Sequence, residues 1–232
     1  MEYVQHGDLG KHLTGPWAEI DTQNITIQLL EGLIIMHSLG ITHRDLRPEV
    51  SSQICALIVL SKYHRQLIPI QNIFVTSLSP IRVKLGDFGI SKRVQNNDTA
   101  LRTSCGAIEY TAPEVYIHGH PEYTNTVDIW SLGCVVHKVL TSQTPFTGPG
   151  LWNYAFGPAE FPIDHLKAKG ISVSGMEFIQ CLMKKDAGSR PSAEQARKSA
   201  WLNGVEQTQG ARTKYRGCLG WFWKMFHLWG RR

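Results

Sequence analysis

Residues 127–140 constrain the fold of this chain more than any other stretch, because nearly all of them are apolar. A helix over these residues would be apolar on most of its circumference, and such a helix is stable only when other elements surround it. We therefore expect it to be the central core helix, with the remaining elements packed around it.

Two further elements, a helix and a hairpin, are predicted from the local sequence. Residues 21–39 place apolar side chains at helical spacing and are followed by Gly40, which predicts a core-facing helix that ends at the glycine. Residues 72–75 and 82–85 are short β-prone runs separated by a Ser/Pro turn, and they predict a small hairpin.

The C-terminal half is predicted to be helical. A helix is expected over residues 175–184, and another begins after Pro191, with Ser192 as its N-cap and Gln195 at the capping-box position. A polar loop is expected from residue 91 to about 110. With 232 residues, 42% of them hydrophobic, the chain should form one mainly helical domain with a single small β element.

Three short motifs stand in a fixed order, and two more follow them. They read His43-Arg44-Asp45-Leu46-Arg47-Pro48-Glu49, Asp87-Phe88-Gly89 and Ala112-Pro113-Glu114, then Asp128-Ile129-Trp130-Ser131-Leu132-Gly133 and Asp186 with Arg190-Pro191. Together they resemble the catalytic half of a eukaryotic-type protein kinase. The resemblance covers residues 1–203 and implies a protein-kinase-like fold: a mainly α-helical C-terminal lobe with a small β-hairpin, the N-terminal β lobe being absent.

The resemblance also indicates the subgroup. Residues 101–106 are similar to the activation loop of the calmodulin-dependent and AMP-activated serine/threonine kinases. Arg47-Pro48-Glu49 is closer to the Lys-Pro-Glu of serine/threonine kinases than to the tyrosine-kinase pattern. The acceptor is therefore expected to be a serine or threonine hydroxyl of a protein substrate.

The family's catalytic roles fall on four residues. Phosphoryl transfer requires positioned metal ions, an acceptor for the hydroxyl proton and stabilisation of charge. By resemblance, Asp45 would accept the proton, while Asp87 and Asn72 would hold the Mg²⁺ ions that accompany ATP. Arg47 stands where the family usually has a lysine near the transferred phosphate, and it keeps the charge but changes its shape.

Four residues would bind the nucleotide if the resemblance holds. The backbone of Glu2 and Val4 would meet the adenine edge, Asp8 the ribose, and Phe74 would form the floor of the adenine pocket. For Asp8 a simple role as a turn or cap residue is an equal alternative.

Five residues would act in regulation or support. Arg44 would pair with a phosphate on Thr103, although a solvated loop hydroxyl is the alternative for Thr103. Glu114 with Arg190, and Asp128 with the backbone of the catalytic loop, would be structural supports.

The chain departs from the family at its start and at Ala107. The resemblance begins at the hinge, and no G-x-G-x-x-G occurs. We therefore expect an internal methionine taken as the start of the reading frame, and a chain that is inactive as given. Ala107 replaces the usual threonine that braces the catalytic aspartate, which would weaken its positioning.

A third departure is an insertion over residues 50–71. The family spaces its catalytic Asp and metal-binding Asn five apart, whereas Asn72 follows Asp45 by 27 positions. Removing these 22 residues restores the spacing. The segment begins with Val and ends with Gln, as a translated phase-0 intron would. A translated intron is our hypothesis, and a family-specific loop is the alternative.

The net charge of +5 is concentrated at the C-terminus. Residues 197–232 carry +7, so the first 196 residues carry −2. A basic tail without a recognition motif does not indicate nucleic-acid binding. The tail over 204–232 is rich in tryptophan, and its part from 212 to 232 would suit a calmodulin-like partner, an anionic membrane surface or packing onto the lobe.

The remaining features bear on compartment and on rival functions. The five cysteines form no C-x-x-C pair, and no histidine stands at zinc-ligand spacing, so no structural zinc site is predicted. A reducing, cytoplasmic location is expected, at the membrane periphery if the tail binds lipid. The rival interpretation is a non-catalytic pseudokinase or docking module.

Overall fold

A computed structural model describes residues 4–43, 46, 72–86, 92–93, 108–116, 124–203 and 205. Its α-helices are α1 (Glu19–Ser38), α2 (Thr126–Thr141), α3 (Pro149–Phe156), α4 (Asp164–Ala168), α5 (Val173–Leu182), α6 (Ala193–Arg197) and α7 (Ala200–Asn203). Its strands are β1 (Ile41–Thr42), β2 (Ile73–Leu78), β3 (Ile81–Leu85) and β4 (Lys92–Arg93). Short 3-10 helices cover Leu9–His12, Ile108–Tyr110, Pro113–Tyr116 and Ala187–Ser189. Not one helix in these ranges combines the length and apolarity needed to cross a membrane.

Helix α2 is the central element, as its apolar sequence predicts. Of its 16 residues, 14 are buried, and α1, α4 and α5 all contact it. Trp130 is completely buried and stacks on Phe146, with 6.1 Å between ring centroids. Gly133 allows α5 to approach closely, because a Cβ atom there would lie 2.4 Å from Cγ of Met183. A side chain at this position would force the two helices apart.

Helix α1 and the hairpin form the second packed layer. The helix predicted over 21–39 is confirmed, and Gly40 follows it with a φ of +68°. Its apolar face contacts β3 on one side and α2 and α6 on others. The predicted hairpin is also confirmed: β2 pairs with β3 in antiparallel register from Ile73 opposite Leu85 to Leu78 opposite Ile81. The turn contains Ser79-Pro80, with a cis peptide bond.

The expectation of a single β element is wrong. Strand β1 pairs with β4 in a second antiparallel ladder, with Ile41 opposite Arg93 and Thr42 opposite Lys92. Strand β4 lies inside the stretch predicted as a polar loop. Two-residue strands contain no period that a sequence pattern can reveal, and their pairing is set by the tertiary fold.

Candidate active site

Three backbone segments meet at the place where the motifs predict catalytic residues. His43 follows β1, Asn72 precedes β2 and Gly86 follows β3. Nε2 of His43 donates to the carbonyl of Gly86 at 3.1 Å, and the amide of Gly86 donates to the carbonyl of Asn72 at 2.9 Å. Asp45 follows His43 by two residues, and Asp87 directly follows Gly86. The fold therefore gathers Asn72 and the segments that lead to both aspartates.

Asp128 fixes this junction to the central helix. It lies in the first turn of α2, is fully buried, and its Oδ2 accepts the amide of His43 at 2.8 Å. The same oxygen is bonded to Nε2 of His37 at 3.0 Å. The expected contact between Asp128 and the catalytic-loop backbone is thus present at His43. One carboxylate joins the end of α1, the chain after β1 and the start of α2.

The motif pattern did not identify His37 and His43 as connecting residues. His37 occupies the apolar face of the predicted helix over 21–39. A polar side chain in a buried position requires a hydrogen-bond partner. This requirement was the one signal in the sequence that could have identified His37 as a connecting residue.

Asn72 and Phe74 lie where β2 begins. Asn72 is completely buried, and Phe74 is half-buried. The ring of Phe74 covers Gly86 so closely that a Cβ atom on Gly86 would lie 2.3 Å from Cε2 of Phe74. Only glycine therefore fits immediately before Asp87 in this arrangement.

The segment predicted to be the hinge runs beside β2. The amide of Val75 donates to the carbonyl of Gly7 at 2.9 Å, and Asp8 forms a bridge with Phe74. Val4, near the start of this segment, is partly buried and its carbonyl accepts the amide of Gly7.

Asp8 has the geometry of a cap residue. Its Oδ1 accepts the amide of Lys11 at 3.1 Å and so caps the 3-10 helix Leu9–His12. Its Oδ2 lies 3.5 Å from Nζ of Lys11, whose side chain is 62% exposed. The side chain of Asp8 is only 5% exposed, so turning it toward a ribose would require it to leave this cap.

Arg190 and Glu114 form a nearly buried ion pair. Nη1 and Nη2 of Arg190 donate to the two carboxylate oxygens of Glu114 at 2.6 and 2.8 Å. Nε of Arg190 donates to the carbonyl of Lys184 at 2.8 Å, and its guanidinium lies 4.9 Å from the ring centroid of Trp130. This bidentate pair attaches the 3-10 helix that contains Glu114 to the core.

Several predicted residues lie outside the described ranges: Glu2, Arg44, Asp45, Arg47, Asp87, Thr103 and Ala107. Their predicted roles remain predictions. Within the described ranges, no group of three or more His, Cys, Asp or Glu side chains is arranged to hold a metal ion. An amide oxygen from Asn72 and a carboxylate from Asp87 are a donor set that suits Mg²⁺, so the chemistry of these two residues fits that ion.

Comparison with known proteins identifies the family. The model of the protein kinase domain family matches residues 61–202, more than half of the chain, so the chain belongs to this family. The predicted family and the mainly helical kinase-like fold are both confirmed.

The relatives are serine/threonine kinases. The chain is 32% identical over 225 residues to the serine/threonine-protein kinase RAD53 of Saccharomyces cerevisiae, a match that covers 87% of this chain and 24% of that protein. It is also 32% identical over 210 residues to the serine/threonine-protein kinase cds1 of Schizosaccharomyces pombe, covering 87% of this chain and 40% of that one. A probable myosin light chain kinase of Dictyostelium discoideum is 31% identical over 200 residues, covering 83% and 56%. The chain thus spans less than two thirds of these relatives.

Solved structures agree with this result. A crystal structure of Rad53 in complex with AMP-PNP matches 87% of this chain and 46% of that one, with a TM-score of 0.66 and 31% identity. A structure of the Rad53 kinase domain and SCD2 in complex with AMPPNP matches 88% and 68%, with a TM-score of 0.65 and 29% identity.

Proposed function

We propose that this chain forms the C-terminal lobe of an enzyme that transfers the γ-phosphoryl group of ATP to a serine or threonine hydroxyl of a protein. The observation that carries the proposal is the hydrogen-bonded junction of His43, Asn72 and Gly86. It gathers the segments of three residues for which the family has defined catalytic roles. A pure docking surface would not require Asn72 and the two aspartates to be retained together.

The chemistry would be carried out by Asn72 and by three residues that the motifs identify. Asp45 would accept the proton of the substrate hydroxyl as the hydroxyl attacks the γ-phosphorus and the bond to the ADP oxygen breaks. Asn72 and Asp87 would hold Mg²⁺, which supplies neutralisation of the phosphate charge when bound. Arg47 would add a positive charge near the transferred group.

The nucleotide would lie against the hinge segment and the start of β2. The backbone of Glu2 and Val4 would contact the adenine, Phe74 would lie beneath it, and Asp8 would leave its cap to bind the ribose. The Rad53 structures with AMP-PNP support ATP as the nucleotide.

Regulation would depend on Arg44, Thr103 and the two supports. A phosphate on Thr103 would pair with Arg44 and order the activation loop that contains Thr103. Asp128 would support the backbone of the catalytic loop, and the pair of Glu114 with Arg190 would be a second structural support.

A phosphotransfer assay tests the proposal. The protein encoded by the mature transcript would be incubated with Mg²⁺, γ-labelled ATP and peptides that offer Ser, Thr or Tyr. We expect labelling of Ser or Thr, and a loss of about 100-fold or more in Asp45→Asn. Asp21→Asn, which alters an exposed carboxylate on α1, is the matched control and should retain activity. Full activity in Asp45→Asn would overturn the proposal.

The alternative is a non-catalytic docking module, and the separation of Asp45 from Asn72 by 27 positions favours it for the 232-residue chain. We expect this chain alone to be inactive. If the transcript's product also transfers no phosphate but still binds a kinase substrate, the alternative replaces the catalytic proposal.

The basic, Trp-rich tail is proposed to bind a calmodulin-like protein or an anionic membrane surface, with the chain otherwise cytoplasmic. Its aromatic residues Trp221, Phe222 and Trp229 lie in a stretch that also contains Lys224, Arg231 and Arg232, a composition that suits both kinds of partner. Co-sedimentation of the full chain with anionic vesicles, against a chain that ends at residue 205, tests the membrane partner. Equal sedimentation of the two chains would exclude it.

A further inference from the structure

His137 presents an unusual environment for a histidine. It lies near the end of α2 and is completely buried. Its Nδ1 donates to the carbonyl of Gln143 at 2.8 Å, and the hydroxyl of Thr141 lies 3.2 Å from the same nitrogen. Because a carbonyl can only accept, Nδ1 carries the proton and the neutral ring has its lone pair on Nε2.

The lone pair on Nε2 has no hydrogen-bond partner among the described residues, although the atom is buried. An acceptor left in this state costs about 1–3 kcal/mol. A proton does not fill the position at neutral pH, since burial, with a smaller contribution from His165, lowers the pKa of His137 to about 4. A histidine that donates one ring N–H to a backbone carbonyl and offers the other nitrogen is typical of metal ligands.

A second imidazole lies beside it. The ring of His165, in the first turn of α4, has its centroid 6.0 Å from that of His137, at an angle of 62° between planes. Two imidazoles on one tetrahedral ion would have their centroids about 5 Å apart, because metal–nitrogen bonds are about 2.0–2.1 Å long. His165 is exposed, and the proposed site requires its ring to move about 1 Å toward that of His137.

We propose that Nε2 of His137 and the imidazole of His165 bind a divalent transition-metal ion of the Zn²⁺ class, joining the end of α2 to α4. Imidazole ligands suit Zn²⁺, Cu²⁺ and Ni²⁺, whereas Mg²⁺ prefers oxygen, so the site is separate from the Mg²⁺ of phosphoryl transfer. The described residues supply two ligands, and water would complete the shell. The sequence offers no signal for it, since the two histidines stand 28 positions apart.

The test uses the full chain, freed of metal with EDTA, in buffer with excess Mg²⁺. Zn²⁺ binding is measured by calorimetry, and Co²⁺ by its visible absorption. We expect His165→Ala to weaken one Zn²⁺ site by about tenfold or more and to remove the corresponding Co²⁺ bands, since half of the protein ligands are lost. Lys167→Ala, an exposed change on the same helix, is the matched control and should bind as the parent chain does.

A second measurement locates the ion without a change at the buried residue. In the ¹⁵N spectrum of the histidine rings, Zn²⁺ should shift Nε2 of His137 and leave its Nδ1 protonated. Parent-like Zn²⁺ affinity in His165→Ala, or an Nε2 signal that Zn²⁺ does not move, would overturn the proposal. Neither readout depends on kinase activity, so failure here is independent of the proposed function.

Discussion

A single carboxylate, that of Asp128, accepts two hydrogen bonds inside the core. The amide of His43 and the ring of His37 would both lose their acceptor in Asp128→Ala. Each buried donor without a partner costs about 1–3 kcal/mol. We expect Asp128→Ala to lower the free energy of unfolding by about 3 kcal/mol, as measured by urea denaturation.

Asp128→Asn serves as the comparison, because the amide keeps one oxygen as an acceptor. It should lose less stability than Asp128→Ala. Asp164→Ala, at an exposed aspartate, should change stability little. Equal losses in all three variants would contradict the role of the bonds to Asp128.

The pair of Arg190 and Glu114 is the second residue-scale contact that can be tested. Glu114→Gln would leave the buried guanidinium without its counter-charge, while the bonds from Arg190 to backbone carbonyls remain. The side chain of Glu114 is 19% exposed, so water compensates in part for the lost charge. We therefore expect the free energy of unfolding to fall by about 2 kcal/mol, which is less than for a fully buried ion pair. Arg190→Lys should also destabilise, because lysine cannot form the bidentate contact. Unchanged urea midpoints in both variants would contradict this prediction.

His137 should make stability depend on pH. Its folded pKa is about 4, below the ordinary 6.5, so the unfolded chain binds the proton more readily. The stability that this difference provides is complete above about pH 6.5 and is lost as the pH falls toward 4. Between pH 7 and 5 the loss is about 2 kcal/mol.

Urea unfolding in EDTA at several pH values checks this dependence. His137→Gln, which cannot titrate, should show a flatter profile below pH 6.5 than the parent chain, whatever its absolute stability. A profile as steep as that of the parent would assign the dependence to other groups.

At the scale of elements, the predicted capping box at the start of α6 is confirmed, and its contribution to the free energy of unfolding can be measured. The hydroxyl of Ser192 accepts the amide of Gln195 at 3.2 Å, and Oε1 of Gln195 accepts the amide of Ser192 at 2.8 Å. Ser192→Ala should lower the free energy of unfolding by about 1 kcal/mol. Ser192→Asp keeps an N-cap acceptor and should retain most of the stability, as thermal unfolding can measure.

The elements also show why some features were predictable and others were not. Helices α1 and α2 have long apolar patterns, and the turn chemistry before α6 is local, so the sequence predicts all three. Strands β1 and β4 pair residues 50 and 52 positions apart, and no local pattern reports such a contact. Likewise, Asn72 was identifiable by its motif, whereas the bonds from His37 and His43 depend on distant partners.

At the scale of the whole molecule, residues 50–71 separate two predicted catalytic residues, Asp45 and Asn72. They lie outside the described ranges and separate Leu46, which is buried, from Asn72, also buried. Leu46 and Asn72, the described residues before and after the segment, therefore both belong to the core. A loop of about 27 positions costs about 1.5 kcal/mol more to close than one of five.

Deletion of residues 50–71 should therefore raise the free energy of unfolding by about 1.5 kcal/mol, measured by urea denaturation of the two chains. As a control, deletion of the exposed residues 167–169 would shorten α4 and should lower the free energy of unfolding. A gain in stability that occurs only on deletion of residues 50–71 is then a property of that segment. The matching genetic prediction is that the mature transcript joins the codon of Glu49 directly to that of Asn72. A transcript that always retains these 66 nucleotides, together with a deleted chain that is less stable than the parent, would make the segment a genuine loop of the protein.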